Sequence, residues 1–442
     1  MVDLDLTCDY GPLTLKNPVV SSASEIIMDD KGVEKAVKIG GVGGIVTKSF
    51  TGDLPPVLKS VVRPGYFPMR KRFGTAYETA WMLGSAGFLA RPPEIVIERY
   101  IPRMLKLCKE AEIPLIVSII NLDPEKFEYW ASRFAETGID ALELDLQCPD
   151  VSRLFPIENH LKWGEEVVRR VSNVVDIPVI PKIGFENNPP EEYVETYRSA
   201  GADMIVAHGA GMGLVIDVEM EEVFGAPGLN PYIPGRPNIP FSLGRMARMM
   251  KVADIPFCGV GGIYKGVDAL QYLLLGCSAV GMSSAVFLGG YGAFKVVIDG
   301  IREWMMNKGY STPKEFIGKA KKSALFDVSR FIELMELPII NYQPNLQVQI
   351  MPSPEEKTSP VIPTVDPEKC SLCDLCTKTC LFDVYEKRDD KIVVNDLNTC
   401  WGCGLCVGIC PQGAIRMIDK ETGETLWGNK GTAKPYKELS QG

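Results

Sequence analysis

The chain has 442 residues and a net charge of −9, with 46% apolar and 23% charged residues, 13 cysteines and only 2 histidines. One hydrophobic core rarely serves more than about 250–300 residues, so two or three domains are expected, and the ordinary apolar balance excludes wholesale disorder and a fibrous repeat. The acidic charge argues against nucleic acid as a partner, and two histidines exclude a histidine-rich metal site.

The start, Met1-Val2-Asp3-Leu4-Asp5, has neither the basic nor the apolar region of a signal peptide. No later run approaches the ~18 apolar residues of a membrane span, so no membrane association is expected. A cytoplasmic protein with reduced thiols follows, in which cysteines serve metal or catalysis before disulfides. Short β-branched runs then recur at 18–21, 44–48, 115–119, 141–146, 179–183, 204–207, 257–260 and 279–282. Helical spacing fills the gaps, for instance over 125–137 and 188–200. Near-continuous apolar strands alternating with helices imply a parallel sheet covered on both faces. Eight such units predict an α/β fold, a (β/α)₈ TIM barrel, over a doubly wound open sheet. Gly40-Gly41-Val42-Gly43-Gly44 precedes a strand rather than following one, so it is no dinucleotide fingerprint. Chemistry in a barrel belongs to the loops after the strands.

The domains predicted are a barrel over 1–340, a proline-rich linker over 341–367, a small domain over 368–420 and a polar tail over 421–442. Prolines in the linker block both helix and central strand. Eight of the 13 cysteines lie beyond it in two runs of one spacing: Cys370, Cys373, Cys376 and Cys380, then Cys400, Cys403, Cys406 and Cys410 followed by Pro411. This is the bacterial ferredoxin pattern, in which the fourth cysteine of each run reaches the other cluster. It predicts an α+β two-cluster ferredoxin domain. One [4Fe–4S] cluster takes Cys370, Cys373, Cys376 and Cys410; the other takes Cys400, Cys403, Cys406 and Cys380. Paired zinc sites fit the spacing poorly, since zinc ligands come as separated pairs. Leu381 stands where proline follows the second run.

A two-cluster module passes single electrons and binds no organic substrate, so the barrel must supply the exchange partner. Gly261 and Gly262 follow the seventh strand and Ser283 and Ser284 follow the eighth, the two barrel loops that commonly hold phosphate. Other motifs join them: Ser21-Ser22-Ala23-Ser24 after the first strand, Thr47-Lys48-Ser49 after the second, Asp145-Leu146-Gln147-Cys148-Pro149-Asp150 after the fourth, and Pro181-Lys182-Ile183 in the fifth. Together they resemble the dihydroorotate and dihydropyrimidine dehydrogenase family of FMN barrels. With its cluster module the chain is most similar to the pyrimidine-reducing part of dihydropyrimidine dehydrogenase. The resemblance implies FMN, with Lys48 and Lys182 beside the ring and Ser22, Ala23 and Ser49 along ring and ribityl chain. Asp145, His208 and Gly209 would also meet the cofactor, and Gly261, Gly262, Ser283 and Ser284 would hold its phosphate.

The sequence also departs from that family. Asp145 and Asp150 replace asparagines, and an ionised carboxylate accepts hydrogen bonds where an amide also donates them. His208-Gly209 replaces Asn-Thr after the sixth strand, and the loop after the fourth strand lacks the family's proton-transferring cysteine. Its candidates for that role are Asp150, Ser152, Glu158 and His160. His160 is favoured, because an imidazole near its ordinary pKa exchanges protons at neutral pH. The proline-rich stretch 225–237 reads as a stiff lid whose Arg236 meets an acidic group. Cys148, Cys258 and Cys277 read as packed core thiols. The expected activity is FMN- and iron–sulfur-dependent oxidoreduction of a CH–CH or C=C bond in a small unsaturated substrate. Electrons would be exchanged with ferredoxin or a separate NAD(P)H-oxidising flavin subunit, and a homodimer is compatible with this. A non-pyrimidine substrate and a pure electron-relay subunit are the alternatives.

Overall fold

The computed structural model describes residues 4–51, 65–68, 82–85, 93–146, 159–184, 189–209, 211–213, 216–219, 221–223, 232–321, 361–380, 382–395, 397–400, 402 and 404–427. The chain forms two compact units, Met1–Phe326 and Asp327–Gly442. In the first, eight parallel strands make one sheet: β1 (Val19–Ser21), β2 (Ile45–Val46), β3 (Leu115–Ile119), β4 (Ala141–Asp145), β5 (Val179–Ile183), β6 (Ile205–His208), β7 (Phe257–Val260) and β8 (Ala279–Met282). Their spatial order is β1-β8-β7-β6-β5-β4-β3-β2. A parallel bridge from Val20 to Gly44 closes the ring. At the same seam Ser21 Oγ donates to the Val46 carbonyl (2.9 Å) and accepts from the Val46 amide (2.7 Å). The expected barrel is therefore present, and each strand lies within a few residues of its expected place.

Helices α1 (Asp30–Ile39), α2 (Ile101–Ala111), α3 (Pro124–Ala135), α4 (His160–Val174), α5 (Pro190–Ser199), α6 (Ile239–Val252), α7 (Gly266–Leu275) and α8 (Gly292–Lys308) accompany the strands. Local chemistry sets their starts. Asp29 accepts from the amides of Lys31 and Gly32, and Asp123 from that of Glu125. The outer core between helices and sheet holds Phe127, Phe134, Tyr197 and Phe294. A separate inner core fills the barrel with Val20, Val46, Ile116, Ala141, Ile180, Met204 and Cys258. An N-terminal hairpin, Cys8–Tyr10 paired with Leu13–Leu15, adds Cys8, Tyr10 and Leu15 to that inner core and plugs the barrel's N-terminal end. The loops after β2 and β6 meet in an accessory antiparallel sheet of Gly65–Pro68, Met82–Ser85, Tyr232–Ile233 and Gly211–Met212. The stretch read as a lid thus contributes a strand, Tyr232–Ile233.

The second unit corrects the linker and tail. Strand β9 (Val361–Val365), inside the expected linker, pairs antiparallel with β12 (Ile415–Asp419). It is an edge strand, so Pro363 costs no central ladder bond. Strand β13 (Thr425–Trp427), inside the expected tail, covers the other side of β12. Between them lie α9 (Leu375–Thr379), the hairpin β10 (Tyr385–Arg388) and β11 (Lys391–Val394), and α10 (Leu405–Ile409). The unit repeats with a shift of 30 residues: Val361 to Lys391, Cys370 to Cys400, Leu375 to Leu405, Tyr385 to Ile415. Three left-handed positions recur with it, held by Leu372, Asp374 and Asp383 in the first copy and by Gly402, Gly404 and Gly413 in the second. The barrel boundary expected at 340 lies outside the described residues. No helix among the described residues is long and apolar enough to cross a membrane.

Helices α7 and α8 cross backbone to backbone. A Cβ on Gly266 would lie 2.5 Å from the Gly300 carbonyl carbon, whereas one on Gly300 would lie 3.1 Å from Gly266. Gly266→Ala is expected to destabilise the protein by about 1–3 kcal/mol through overpacking. Gly300→Ala should cost less, because alanine regains about 1 kcal/mol of helix propensity. Denaturant melts of the two variants check this, and a wild-type midpoint for Gly266→Ala would refute the close contact.

Candidate active site and cluster cavities

Above the apolar floor the barrel interior turns polar. Alternation carries inward pointing from Ile116 to Ser118, from Ala141 to Glu143 and Asp145, and from Ile180 to Lys182. Ser49 joins them from the loop after β2. Lys182 Nζ lies 2.9 Å from Asp145 Oδ2 and 3.7 Å from Glu143 Oε1. Ser49 Oγ donates to the same Asp145 oxygen at 2.7 Å and lies 3.0 Å from Ser118 Oγ, which donates to Glu143 Oε1 at 3.0 Å. All five residues are buried. Burial alone would raise the pKa of Asp145, but the Lys182 ammonium and hydrogen bonds from Lys182 and Ser49 hold it below the usual carboxylate range. Burial pushes Glu143 the other way, and Lys182 only partly offsets it.

Buried polar atoms without a hydrogen-bond partner at this mouth include Asp145 Oδ1, an acceptor, and Asn121 Nδ2, a donor. Asn121 follows β3, and its Oδ1 is occupied by the amides of Leu122 (2.7 Å) and Asp123 (3.4 Å). A spare donor and a spare acceptor on neighbouring strand ends complement the amide or imide edge of a ligand. Asn121 was not singled out by sequence motif. Its position just past a barrel strand was the available signal.

Lys48 pairs with Glu25 at 2.9 Å, and its amide donates to the Ile27 carbonyl at 2.8 Å. Ser22 is buried, with its amide on the Met282 carbonyl (2.9 Å), and Ala23 packs against the inner core. The turns after β6 and β7 are built by close backbone approach. Gly261 (φ +137°) would place a Cβ 3.0 Å from the Gly209 Cα, and Gly262 (φ +73°) one 2.7 Å from the Gly235 carbonyl. A Cβ on Gly209 would strike Ser242 and the Val260 carbonyl. The Gly261 carbonyl accepts from Tyr272 Oη at 2.8 Å. The amides of Gly261, Gly262 and Ser283 donate to no described protein acceptor, which suits an anion. Ser284 is buried and opens the short helix Ser284–Gly289.

The other candidates separate. His160 is the first residue of α4, half-buried, its ring edge-on to Trp163 with centroids 5.9 Å apart. Trp163 Nε1 donates to the Leu122 carbonyl at 2.9 Å, which ties this corner to the loop after β3. His160 therefore stands at the rim and not within the Lys182 network. Burial lowers its pKa. Asp150, Ser152, Glu158, Cys148 and Cys403 lie outside the described residues. The backbone of His208 ends β6 opposite Val260. Arg236 does meet an acidic group, but it is the chain's own Asp268, with Nη2 to Oδ1 at 2.8 Å. Asp268 also accepts from the amides of Tyr264 and Lys265, so this pair builds the turn into α7 rather than a substrate contact. Cys258 and Cys277 are buried, and burial raises both thiol pKa values, as packed core thiols require.

In the second unit the thiols ring two cavities. One is lined by Cys370, Cys373, Cys376 and Cys410, with Val365, Ile392 and Ile415 as apolar wall. The other is lined by Cys380, Cys400 and Cys406, with Phe382, Tyr385 and Met417. Each cavity mixes cysteines from both runs. Among the described residues no three His, Cys, Asp or Glu side chains close on a single ion.

Known proteins match in the same two blocks. Residues 6–305 match the family model for dihydroorotate dehydrogenase, and residues 369–415 match that for a 4Fe-4S dicluster domain. The chain belongs to the dihydroorotate dehydrogenase family. Within this family it is similar to the dihydroorotate dehydrogenase B (NAD(+)) catalytic subunits of Pyrococcus horikoshii (31% identical) and Pyrococcus abyssi (30%), each match covering 70% of this chain and 96% and 97% of the relative. The corresponding subunit of Desulforamulus reducens is 29% identical over 72% of this chain and 99% of its own. As a member of the dihydroorotate dehydrogenase family the chain is an FMN oxidoreductase acting on CH–CH groups, and its dicluster domain carries two [4Fe–4S] clusters.

The mouth makes a contrast testable by mutation. Lys182→Met strands the buried Asp145 carboxylate and is expected to cost about 3–5 kcal/mol. Glu143→Gln should cost clearly less at neutral pH, because burial already disfavours the ionised form of Glu143 in the folded state. The sign follows from the shifts: Asp145 stabilises above its unfolded pKa and loses this as pH falls through its lowered folded value. Glu143 contributes below its unfolded pKa and loses this as pH rises through its raised one. Urea melts decide it, and an equal loss for both variants would show Glu143 to be ionised.

Proposed function

We propose that FMN binds in the polar mouth, and that the enzyme moves hydrogen across a C–C bond of a cyclic unsaturated substrate, with pyrimidines as the class. The observation that carries this reading is the ammonium of Lys182, held by Asp145 and Ser49 atop an apolar barrel beside spare hydrogen-bonding atoms. Bound FMN supplies a two-electron hydride step and then single-electron transfers. The chain's residues do the rest. Lys182 and Lys48 hold positive charge beside the ring, where reduction leaves negative charge. Ser22, Ala23, Ser49, Asp145, His208 and Gly209 line the ring and ribityl chain. The amides of Gly261, Gly262, Ser283 and Ser284 take the phosphate.

His160 exchanges the substrate proton as a neutral imidazole at pH 7, with Asp150, Ser152 and Glu158 as its rivals. Cys370, Cys373, Cys376 and Cys410 hold one cluster; Cys400, Cys403, Cys406 and Cys380 hold the other. The relatives' names pair a catalytic subunit with NAD(+), which favours a separate NAD(P)H-oxidising flavin subunit over ferredoxin as electron partner. Those names also raise the choice between dihydroorotate, a ring carboxylate, and uncharged dihydropyrimidines.

Anaerobic titration of the holoenzyme with dihydrouracil, dihydrothymine and dihydroorotate tests the reading. At least one is expected to bleach the flavin; reduction by a partner protein alone would instead support a relay subunit. His160→Gln should slow that bleaching by about 100-fold or more while leaving reduction by dithionite untouched. Unchanged bleaching would remove His160 from the mechanism.

A further inference from the structure

The described cations at the mouth are paired with the chain's own carboxylates. Among the described residues there, Lys182 is paired with Asp145, Lys48 with Glu25, and Arg236 with Asp268. Each of these three described cations already has its carboxylate. Asp145 goes further. It is only 8% exposed, both donors that reach it share Oδ2, and Oδ1 is buried with no partner. Whichever neighbour eventually donates to Oδ1, a carboxylate brought beside it meets like charge in a medium of low dielectric. An N–H group placed there instead satisfies the orphan oxygen, and the Asn121 amide offers the matching donor for an adjacent carbonyl.

We propose that this mouth selects an uncharged cyclic amide or imide over the same ring bearing a carboxylate, and that Asp145 sets the choice. The inference rests on the proposed reaction at this site and narrows its substrate class. It separates the chain from relatives whose names specify dihydroorotate, despite the shared family. A buried, open-sided carboxylate discriminates by repulsion as well as by attraction.

The probes are orotate and orotamide, which differ in one group: a carboxylate against a carboxamide. Each is titrated anaerobically into the oxidised holoenzyme, and the shift of the flavin's visible spectrum gives Kd. Orotamide is expected to bind at least about tenfold more tightly than orotate, since like charges juxtaposed at an interface are strongly disfavoured. Asp145→Asn, compared at equal flavin content, should close most of that gap by strengthening orotate. Orotate binding as tightly as orotamide to the wild type overturns the inference, and this comparison stands even if the variant fails to retain flavin. A gap that persists unchanged in flavin-replete Asp145→Asn overturns the role of Asp145. A flavin spectrum blind to both ligands removes the pyrimidine reading itself, a different result from inverted selectivity, and the inference falls with it.

Discussion

Lys182 stands inside a barrel whose lower half is apolar, and an ammonium there is tolerable only beside a counter-charge. That constraint organises the mouth. Asp145 neutralises it on β4, Glu143 sits one alternation below, and Ser49 and Ser118 complete the hydrogen bonds from the loop after β2 and from β3. The network therefore joins four consecutive strands where the barrel opens. Removing one member leaves a neighbour buried and unsatisfied, which costs more than the pair contributes. Asp145 lets the lysine be buried, and in doing so it takes up part of the charge that a ligand would otherwise meet.

The turns after β6 and β7 rest on close backbone packing. Gly209, Gly261 and Gly262 pack so closely that side chains are excluded, and Tyr272 anchors the Gly261 carbonyl from behind. Arg236 and Asp268 brace the same turn. The cluster unit solves a related problem twice. Its second copy relaxes three left-handed positions with glycine, whereas its first holds Leu372, Asp374 and Asp383 there. Non-glycine residues in that region carry about 1–2 kcal/mol of strain each, so the first cysteine loop is the one its surroundings must hold in shape.

The eight barrel strands were legible because strands buried on both faces are written as short apolar β-branched runs, from Leu115–Ile119 to Ala279–Met282. The cysteine runs were legible because cluster ligation imposes fixed local spacing. What escaped was pairing between distant residues. Pro363 spoke against a strand, and only the partner β12 shows it to lie on an edge. The accessory sheet joins strands of two to four residues from separate loops, too short for any periodicity. Arg236 looked available for a ligand because Asp268 is 32 residues away in sequence. Lys182, Asp145 and Ser49 were each visible as strand-end residues, but their shared oxygen was not.

The hairpin that carries Tyr10 closes the barrel's far end and leaves Tyr10 wholly buried. A vessel stoppered at its base has a single opening. Whatever enters above Lys182 must leave on that same side of the barrel, because Tyr10, Val20, Val46 and Ile116 fill the space below it.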